Sequence, residues 1–311
     1  MRSSGLNEIF QMAKNDPRIV FVGSDLGFKV LDEFKKTLPE QFFMEGISEQ
    51  YIIGMAAGMA LNGKIVYINT IASFLTRRCL DQISINLCLE KTNVRLFANG
   101  GGLIYGPMGP THTIIEDIAL MMALPNMAVI VPADKNQMLH LLKQSVNYQG
   151  PIYIRVARDN YPDLTSKHDI VFGEPCLLKN GEKFAIVSNG YMSHTAMKVA
   201  ENLKADGLNI KVIDLHSLRP LNTQSLQKHL EGIDRVVTME EHIKTGGLYS
   251  LVSDLILSHD LPIKIKNFNL PHQYSETYGE QDDLLKIMGL DPESITNESR
   301  DFFLKAGKGL R

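Results

Sequence analysis

The chain has 311 residues, of which 44% are hydrophobic and 22% charged, and its formal net charge at pH 7 is -3. This composition is typical of a water-soluble globular protein with two domains, and the charge gives no basic surplus that would attract nucleic acid or an anionic membrane. The three cysteines, Cys79, Cys88 and Cys176, are an odd number without metal-ligand spacing, which indicates buried thiols in a reducing compartment. Because the sequence shows no apolar targeting segment and no membrane-spanning run, we expect a cytoplasmic protein.

The first half of the chain alternates between short apolar runs and helical patterns. Such runs are typical of strands that are buried on both faces of a parallel sheet. We predict strands at 18–22, 41–44, 65–69, 94–99, 127–131 and 152–156. We predict helices at 7–14, 49–61, 74–89, 114–122 and 135–146. The alternation favours a doubly wound α/β domain with a parallel sheet.

A polar stretch with two prolines, from 159 to 180, interrupts this alternation and is typical of a linker. We therefore predict one domain over 1–165, a linker over 166–180 and a second domain over 181–311. In the second domain the predicted strands are 184–188, 210–214, 235–239 and 263–268, and the predicted helices are 195–204, 223–230, 248–258 and 292–305. The predicted fold class is thus α/β, with two doubly wound domains and a mostly parallel sheet in the second.

Glu49 is the first candidate for chemistry, because it follows a predicted strand and begins a helix rich in small residues. An acid at that junction lies at the carboxyl edge of the sheet, where open α/β folds bind their ligands. The small residues of the segment 49–61, EQYIIGMAAGMAL, would let a large neighbour pack closely. The alternative is that Glu49 only complements the helix dipole next to Ser48, which is a candidate N-cap.

Three further candidates follow predicted strands or their turns. His112 ends the stiff loop GPMGPTH and is a candidate proton carrier or oxyanion partner. Phe74 is placed where a ring could stack on a flat heterocycle, and Arg158 where a planar guanidinium could bind a carboxylate or phosphate. The alternatives are a structural histidine, a core phenylalanine and a surface ion pair. A dinucleotide fingerprint, a Walker loop and a metalloprotease helix are absent from the sequence.

Several motifs, taken in chain order, resemble the C-terminal half of enzymes of the transketolase family: GISEQ, ASFLTRRCLDQI, GPMGPTH, LPNMAVIVPAD, DLHSLRPLN and TMEEHIKTGG. A full-length member has three domains, and this chain resembles the last two, the pyrimidine-binding domain and the C-terminal domain. The metal motif of the first domain has no counterpart, since no Gly-Asp-Gly occurs in the sequence. The resemblance therefore implies a split enzyme.

The resemblance implies thiamine diphosphate as the cofactor, with Mg²⁺ (or Ca²⁺) and the diphosphate held by an N-terminal partner subunit in an α2β2 assembly. The implied function is the transfer of a two-carbon ketol unit from a ketose or ketose phosphate to an aldehyde, by a transferase that is active only with its partner. Two alternatives stay open. One is a decarboxylating relative, similar to deoxyxylulose-phosphate synthase or to the β component of 2-oxo-acid dehydrogenases, and the other is a non-catalytic partner subunit.

The resemblance also gives roles to the candidate residues. Glu49 matches the glutamate that hydrogen-bonds the aminopyrimidine ring and favours its imino tautomer, while the cofactor supplies the reactive carbon. Phe74 matches the aromatic residue that stacks on the pyrimidine, and Asp25 resembles an aspartate near the cofactor. His112 matches a histidine that contacts substrate near the reacting carbon, and Arg158 falls where transketolases place an arginine for the substrate phosphate.

One position departs from the family pattern. Where transketolases usually have an aspartate that contacts a substrate hydroxyl, four residues before the loop histidine, this chain has Met108. A thioether does not hold a sugar hydroxyl as a carboxylate does, so the departure indicates a substrate that is less hydroxylated or modified. Tyr105 and Lys29 are further candidates for lining the altered substrate site.

Overall fold

The computed structural model describes residues 1–24, 31–157 and 161–304, which form two α/β units, each built around one sheet. The strands are β1 (Ile19–Gly23), β2 (Phe42–Met44), β3 (Ile65–Ile71), β4 (Val94–Asn99), β5 (Ala128–Ile130), β6 (Ile152–Val156), β7 (Cys176–Lys179), β8 (Lys183–Ser188), β9 (Ile210–Asp214), β10 (Ser217–Arg219), β11 (Ile233–Ile243) and β12 (Lys264–Leu270). The helices are α1 (Arg2–Asn15), α2 (Asp32–Thr37), α3 (Glu49–Leu61), α4 (Ala72–Gln82), α5 (Asp117–Ala123), α6 (Lys135–Ser145), α7 (Met192–Lys204), α8 (Thr223–Leu230), α9 (Leu248–Ser258), α10 (Gln281–Ile287) and α11 (Pro292–Leu304). A π-helical segment, Ile83–Leu89, continues α4, and 3₁₀ turns lie at Pro39–Gln41 and Gly106–Met108.

The first sheet has seven strands in the order β10-β5-β6-β4-β3-β1-β2, and every neighbouring pair except β10 and β5 is parallel. Helices cover both faces, with α1, α2 and α6 on one face and α3, α4 and α5 on the other. Burial on both faces explains why these strands appear in the sequence as continuous apolar runs rather than as alternating patterns. The parallel strands all end at the same edge of the sheet.

The second sheet has five strands in the order β12-β11-β8-β9-β7, with β7 antiparallel to β9 and the other pairs parallel. Helices α7, α10 and α11 pack on one face. Helices α8 and α9 pack on the other face, in a hydrophobic cluster that continues into α3, α4 and α5 of the first unit. The two units are therefore joined by a shared apolar core.

Strand β10 crosses from the second half of the chain into the first unit. Its residues follow β9, yet it lies antiparallel to β5, with Ser217 opposite Ile130 and Arg219 opposite Val129. Arg219 Nη1 also donates to the carbonyl of Leu124 at 3.0 Å. The first sheet is thus completed by a strand from the second half of the chain.

The predicted α/β fold is confirmed, and a strand is present at every position where the apolar runs predicted one. The structure adds α2, α10, β7 and β10, and it places β7, within the segment expected to be a linker, at the edge of the second sheet. The predicted domain limits stay a prediction. The three cysteines are buried and free. Within the ranges that the structure describes, no helix has the length and apolarity needed to cross a membrane.

Candidate active site

The winding of the first sheet reverses between β1 and β3, because β1 leads to β2 on one side and β3 leads to β4 on the other. Such a switch point leaves a crevice at the carboxyl ends of the strands, where ligands bind. Polar side chains line this edge: Ser24 Oγ and Thr70 Oγ1 lie 2.9 Å apart, and Asn99 donates to the amide oxygen of Asn69. Among the described residues, Asn69 Nδ2 and Asn99 Oδ1 are buried without a hydrogen-bond partner, and such unpaired groups are few in folded proteins.

Glu49 is the first residue of α3 and is 5% exposed. Its Oε2 accepts a hydrogen bond from Arg78 Nη1 at 3.0 Å. Ser48 does not cap the helix with its side chain, because its Oγ donates instead to the carbonyl of Glu45 at 2.8 Å. The carboxylate of Glu49 is thus bonded to α4.

Arg78 connects Glu49 to the other two candidates. Its guanidinium lies over the ring of Phe74, 3.8 Å from the ring centroid. The ring of His112 meets the same phenylalanine edge-on, with 5.1 Å between the centroids, and His112 Nδ1 is 2.9 Å from Thr111 Oγ1. Glu49, Phe74 and His112 were predicted separately, and the structure brings them into one row with a planar cation between the acid and the aromatic ring.

A cavity of about 580 Å³ opens beside this row and is lined by Ile47, Ser48, Glu49, Gln50, Tyr51, Arg77 and Arg78. Arg77 fixes one wall of the cavity. Its Nε donates to Glu116 at 2.8 Å, and its Nη1 donates to the carbonyl of Pro110 at 2.9 Å. Because Pro110 is two residues before His112, these bonds hold the histidine close to α4.

A second cavity, of about 330 Å³, lies beside the segment 100–113, which we call the His112 loop. It is lined by Arg2, Asn99, Gly100, Ile104, Tyr105, Pro107, Met108, Val156 and Ala157. Met108 and Tyr105 therefore line the same cavity. Gly100 has a φ of +75°, and a Cβ there would overlap the ring of Tyr105, so glycine is needed for the close approach of this tyrosine.

The remaining predicted site residues, Asp25, Lys29 and Arg158, lie outside the described residues. In the part of the chain that is described, no group of three or more histidine, cysteine, aspartate or glutamate side chains is placed to hold a metal ion.

Two family models match the chain in order. The one described as "Transketolase, pyrimidine binding domain" matches residues 3–163, and the one described as "Transketolase, C-terminal domain" matches residues 173–295. The chain belongs to the transketolase family. This family of transferases depends on thiamine diphosphate, and the chain has the family's pyrimidine-binding and C-terminal domains.

Some relatives of similar length align with this chain over nearly the whole of both proteins. The chain is 32% identical to one of the subunits of the apulose-4-phosphate transketolase of Phocaeicola vulgatus, over 98% of this chain and 97% of that protein. It is also 32% identical to a putative transketolase C-terminal section from Methanocaldococcus jannaschii, over 95% and 93% of the two chains. A solved structure described as a split gene transketolase, inactive beta4 tetramer, has a TM-score of 0.86 at 32% identity and covers 96% of this chain and 97% of its own. The chain thus corresponds to the C-terminal subunit of a split transketolase.

The guanidinium of Arg78 lies between Glu49 and Phe74, and the acid on one side and the ring on the other are the groups that would hold the aminopyrimidine of thiamine diphosphate. A guanidinium is flat and carries nitrogen atoms at its edge, as an aminopyrimidine does, and here it makes one hydrogen bond to the acid and one stacking contact. With its side chain 45% exposed, Arg78 can turn into solvent when a ligand enters. Arg78 was not among the residues predicted from the sequence, although its place four residues after Phe74 on a predicted helix puts both on one face.

Behind the His112 loop, a buried cluster of charged residues joins the two units. Arg155, in β6, donates to both carboxylate oxygens of Asp117 at 2.9 and 3.0 Å. Its Nη2 also donates to the backbone carbonyl of Glu241 at 3.0 Å, and the hydroxyl of Tyr153 donates to Asp117 at 2.6 Å. Charges at this depth are stable only when they are paired and hydrogen-bonded, so this cluster holds its members in fixed positions.

Burial shifts the pKa values of three consecutive residues at the end of β11. It raises the pKa of Glu240 to about 8 and that of Glu241 to about 7, and it lowers the pKa of His242 to about 4. The contacts of His242 suit a neutral ring, because Nδ1 donates to the carbonyl of Ile243 at 2.7 Å while Nε2 accepts from the amide of Ala119 at 3.2 Å.

We expect the free energy of unfolding to fall as the pH rises from 6.5 to 8. In this window folded Glu240 and Glu241 bind protons that their unfolded carboxyls, with a pKa of 4.5, have already lost. The folded state then binds more protons than the unfolded state, so stability decreases with pH. Urea titrations across this window measure the slope, which should be flatter in E240Q. An E240Q slope as steep as that of the wild type would contradict the assignment to Glu240.

Proposed function

We propose that this chain is the C-terminal, pyrimidine-binding subunit of a two-component, thiamine-diphosphate-dependent transketolase that transfers a two-carbon ketol unit from a ketose or ketose phosphate to an aldehyde. The observation that carries the proposal is the row of Glu49, Phe74 and His112, which places an acid, a stacking ring and a proton carrier together at the ligand-binding edge of the sheet. The similarity to a subunit of a two-component transketolase over nearly the whole chain supports it.

Glu49 and Phe74 bind and orient the cofactor in this proposal. A buried carboxyl group shares one proton with a pyrimidine ring nitrogen and so selects the imino tautomer, while Phe74 stacks on the face of the ring. When bound, thiamine diphosphate supplies a carbon nucleophile and a sink for the electron pair released by carbon-carbon cleavage. The chain contributes by selecting the imino tautomer and by holding the pyrimidine ring in position.

His112 moves a proton or stabilises an oxyanion at the substrate. Its Nδ1 is engaged with Thr111, and Nε2 has no hydrogen-bond partner among the described residues. That nitrogen is available to a substrate oxygen as charge develops on it. We also propose Asp25 as a cofactor-binding residue and Arg158 as a ligand of a substrate phosphate, on the family resemblance alone.

The second cavity supports a substrate with fewer hydroxyl groups than a standard ketose phosphate. Its described walls are mostly apolar, with Met108, Ile104, Pro107, Val156 and Ala157 among them. A hydroxyl group placed against Met108 would lose its hydrogen bonds to water without gaining new ones, which disfavours binding there, although Arg2 and Asn99 also line the cavity. We therefore propose a deoxygenated or otherwise modified sugar chain next to Met108.

The diphosphate and its metal ion, Mg²⁺ or Ca²⁺, are assigned in this proposal to an N-terminal partner subunit, in a cytoplasmic α2β2 assembly. The relative whose β subunits alone form an inactive tetramer supports the need for a partner. Ile47, Tyr51 and Leu61 are large apolar residues exposed at 72%, 60% and 64%, on or next to α3. Exposed apolar surface of this kind supports an interface between subunits beside the site.

Reconstitution tests the function. The chain should be inactive alone and should transfer a ketol unit when it is combined with a purified N-terminal transketolase subunit, thiamine diphosphate and Mg²⁺. Ketose phosphates and pyruvate are offered separately, each with an aldehyde acceptor. Carbon dioxide release from pyruvate without ketol transfer would identify a decarboxylating relative instead. Full activity of a complex with E49A would identify a non-catalytic subunit.

Removing the ring of Phe74 should weaken cofactor binding. We expect F74A to raise the Kd of thiamine diphosphate for the assembled enzyme roughly tenfold, since aromatic stacking contributes about 0.5–1.5 kcal/mol beyond the buried area. F74Y keeps the ring and is the matched control, with a Kd close to that of the wild type. Calorimetric titration of the cofactor-free complex measures both, and equal affinities for F74A and F74Y would exclude the stacking role.

A further inference from the structure

The carboxylate of Glu241 reaches from the end of β11 into the His112 loop. Its Oε1 accepts a hydrogen bond from Leu103 N at 2.7 Å, and the residue is only 4% exposed. Gly102 lies so close to the same carboxylate that a Cβ on it would overlap the oxygen. Because Leu103 is in the loop and Glu241 is in the other unit, this bond ties the path of the loop to the second unit.

A second set of contacts fixes Glu241 itself. Gln281 Nε2, at the start of α10, donates to Glu241 Oε2 at 2.8 Å, and Gln281 Oε1 accepts from the hydroxyl of Tyr161 at 2.7 Å. The backbone is held as well, because Arg155 Nη2 donates to the Glu241 carbonyl. Both carboxylate oxygens and the main chain are therefore engaged, which leaves the side chain one well-defined position.

Leu103, near the start of the loop, and Ile115, just after its end, also contact the second unit. The side chains of Leu103 and Ile115 belong to the core of the second unit, and the end of β11 donates a hydrogen bond to the Ile115 carbonyl at 2.9 Å. Gly102 and Ile114 exchange two backbone hydrogen bonds that close the base of the loop. If Leu103 moves, the residues between Gly102 and Ile114 are therefore expected to move with it, and His112 is one of them.

We propose that Glu241 is a positioning residue for His112, through which the second unit sets the geometry of the active site. This inference rests on the role proposed above for His112. None of the bonds of Glu241 in the described part of the chain reaches α3 or α4, which carry Glu49 and Phe74. Loss of Glu241 should therefore disturb the geometry of reaction without changing the affinity for the cofactor.

Three variants separate positioning from general destabilisation. E241A removes both acceptor oxygens. E241Q keeps an oxygen for the Leu103 amide, and the amide of Gln281 can turn to accept from the new NH₂ group and donate to the hydroxyl oxygen of Tyr161. E240A is the matched control, because Glu240 is the neighbouring buried acid on the same strand, but its carboxylate accepts from backbone amides at the start of α9.

Hydrogen exchange on the free full-length chain gives a readout that does not depend on activity. E241A should speed exchange of the amides in the His112 loop by about tenfold, the effect of one lost hydrogen bond, while E241Q and E240A should leave this segment at wild-type rates. In the complex with the N-terminal subunit, E241A should lower kcat on the order of 10²-fold, as expected for a catalytic group displaced by about 1 Å. The Kd of thiamine diphosphate should stay unchanged, and E241Q should restore most of kcat.

Wild-type exchange in the His112 loop of E241A would overturn the proposal. So would equal losses of kcat and cofactor affinity in E241A, or losses of the same size in E240A, because either result would indicate a general structural effect. A wild-type complex without ketol transfer would refute the proposed function instead. The exchange measurement on the free chain would then still decide whether Glu241 holds the loop.

Discussion

Replacing Glu49 by glutamine should lower the kcat of the assembled enzyme on the order of 10³-fold, within the range that a positioned acid or base contributes. The amide has the size of the carboxyl group, but it does not share a proton with a ring nitrogen, so the bound pyrimidine loses its selected tautomer. The loss should persist at saturating thiamine diphosphate. Initial rates of ketol transfer over a range of cofactor concentrations separate a lost chemical step from weaker binding.

Glu45 provides the control for this experiment. It is an exposed acid four residues before Glu49 in the same segment, and E45Q should retain wild-type rates. E49Q should also remain folded, because the side chain of Arg78, the partner of Glu49, is 45% exposed and can be solvated. A kcat close to that of the wild type in E49Q would contradict both the role of Glu49 and the proposed function.

Replacing Asp117 by asparagine should lower the free energy of unfolding by about 3–5 kcal/mol, the usual cost of leaving one partner of a buried ion pair unpaired. Asp117 is fully buried and accepts hydrogen bonds from Arg155 and Tyr153. In D117N the guanidinium of Arg155, whose side chain is 7% exposed, keeps its charge and loses its carboxylate. Urea-induced unfolding at neutral pH, followed by circular dichroism, measures the difference.

The neighbouring acid offers a matched comparison. Glu116 is paired with Arg77, but both side chains are partly exposed, at 21% and 28%. E116Q should therefore cost less than about 1 kcal/mol, as is usual for ion pairs that water can reach. If D117N and E116Q lowered the free energy of unfolding by similar amounts, burial of the ion pair between Asp117 and Arg155 would not determine how much that pair stabilises the fold.

The strands could be predicted because burial on both faces requires continuous apolar runs, and most of the chain's strands have them. The two strands that escaped prediction are short and lie at sheet edges. β10 (Ser217–Arg219) contains no apolar run, and β7 (Cys176–Lys179) lies in the polar stretch that was predicted to be a linker. β10 also pairs with β5, from the other half of the chain, and the local sequence does not specify that partner.

The candidate site was predictable one residue at a time. Glu49 was identified by its place between a strand and a helix, Phe74 by its place after a predicted strand, and His112 by a stiff loop. Their contact could not be derived from spacing, because it depends on how α3, α4 and the His112 loop pack. The family resemblance supplied that expectation, and the matches of both family models confirm the family.

The contacts of Glu241 could not be predicted from the sequence. It is separated from Leu103 by 138 residues, and within its own strand it lies between two other buried polar residues, Glu240 and His242. The packing of the two units gives its Oε1 a donor, the Leu103 amide, and α10 gives its Oε2 a donor, Gln281. Arg78 is a milder case, because its relation to Phe74 is local while its bond to Glu49 spans two helices.

The crossing strand β10 constrains how such chains can be recombined. A fragment ending at residue 165 would lack β10 and would leave β5 as an open edge, whose unpaired backbone groups are a template for aggregation. The other half, taken alone, would expose Leu218, which is 2% exposed in the intact chain. A chimera between two relatives therefore needs a matched pair of β5 and β10, and the two halves are expected to change together during evolution even though each has its own sheet.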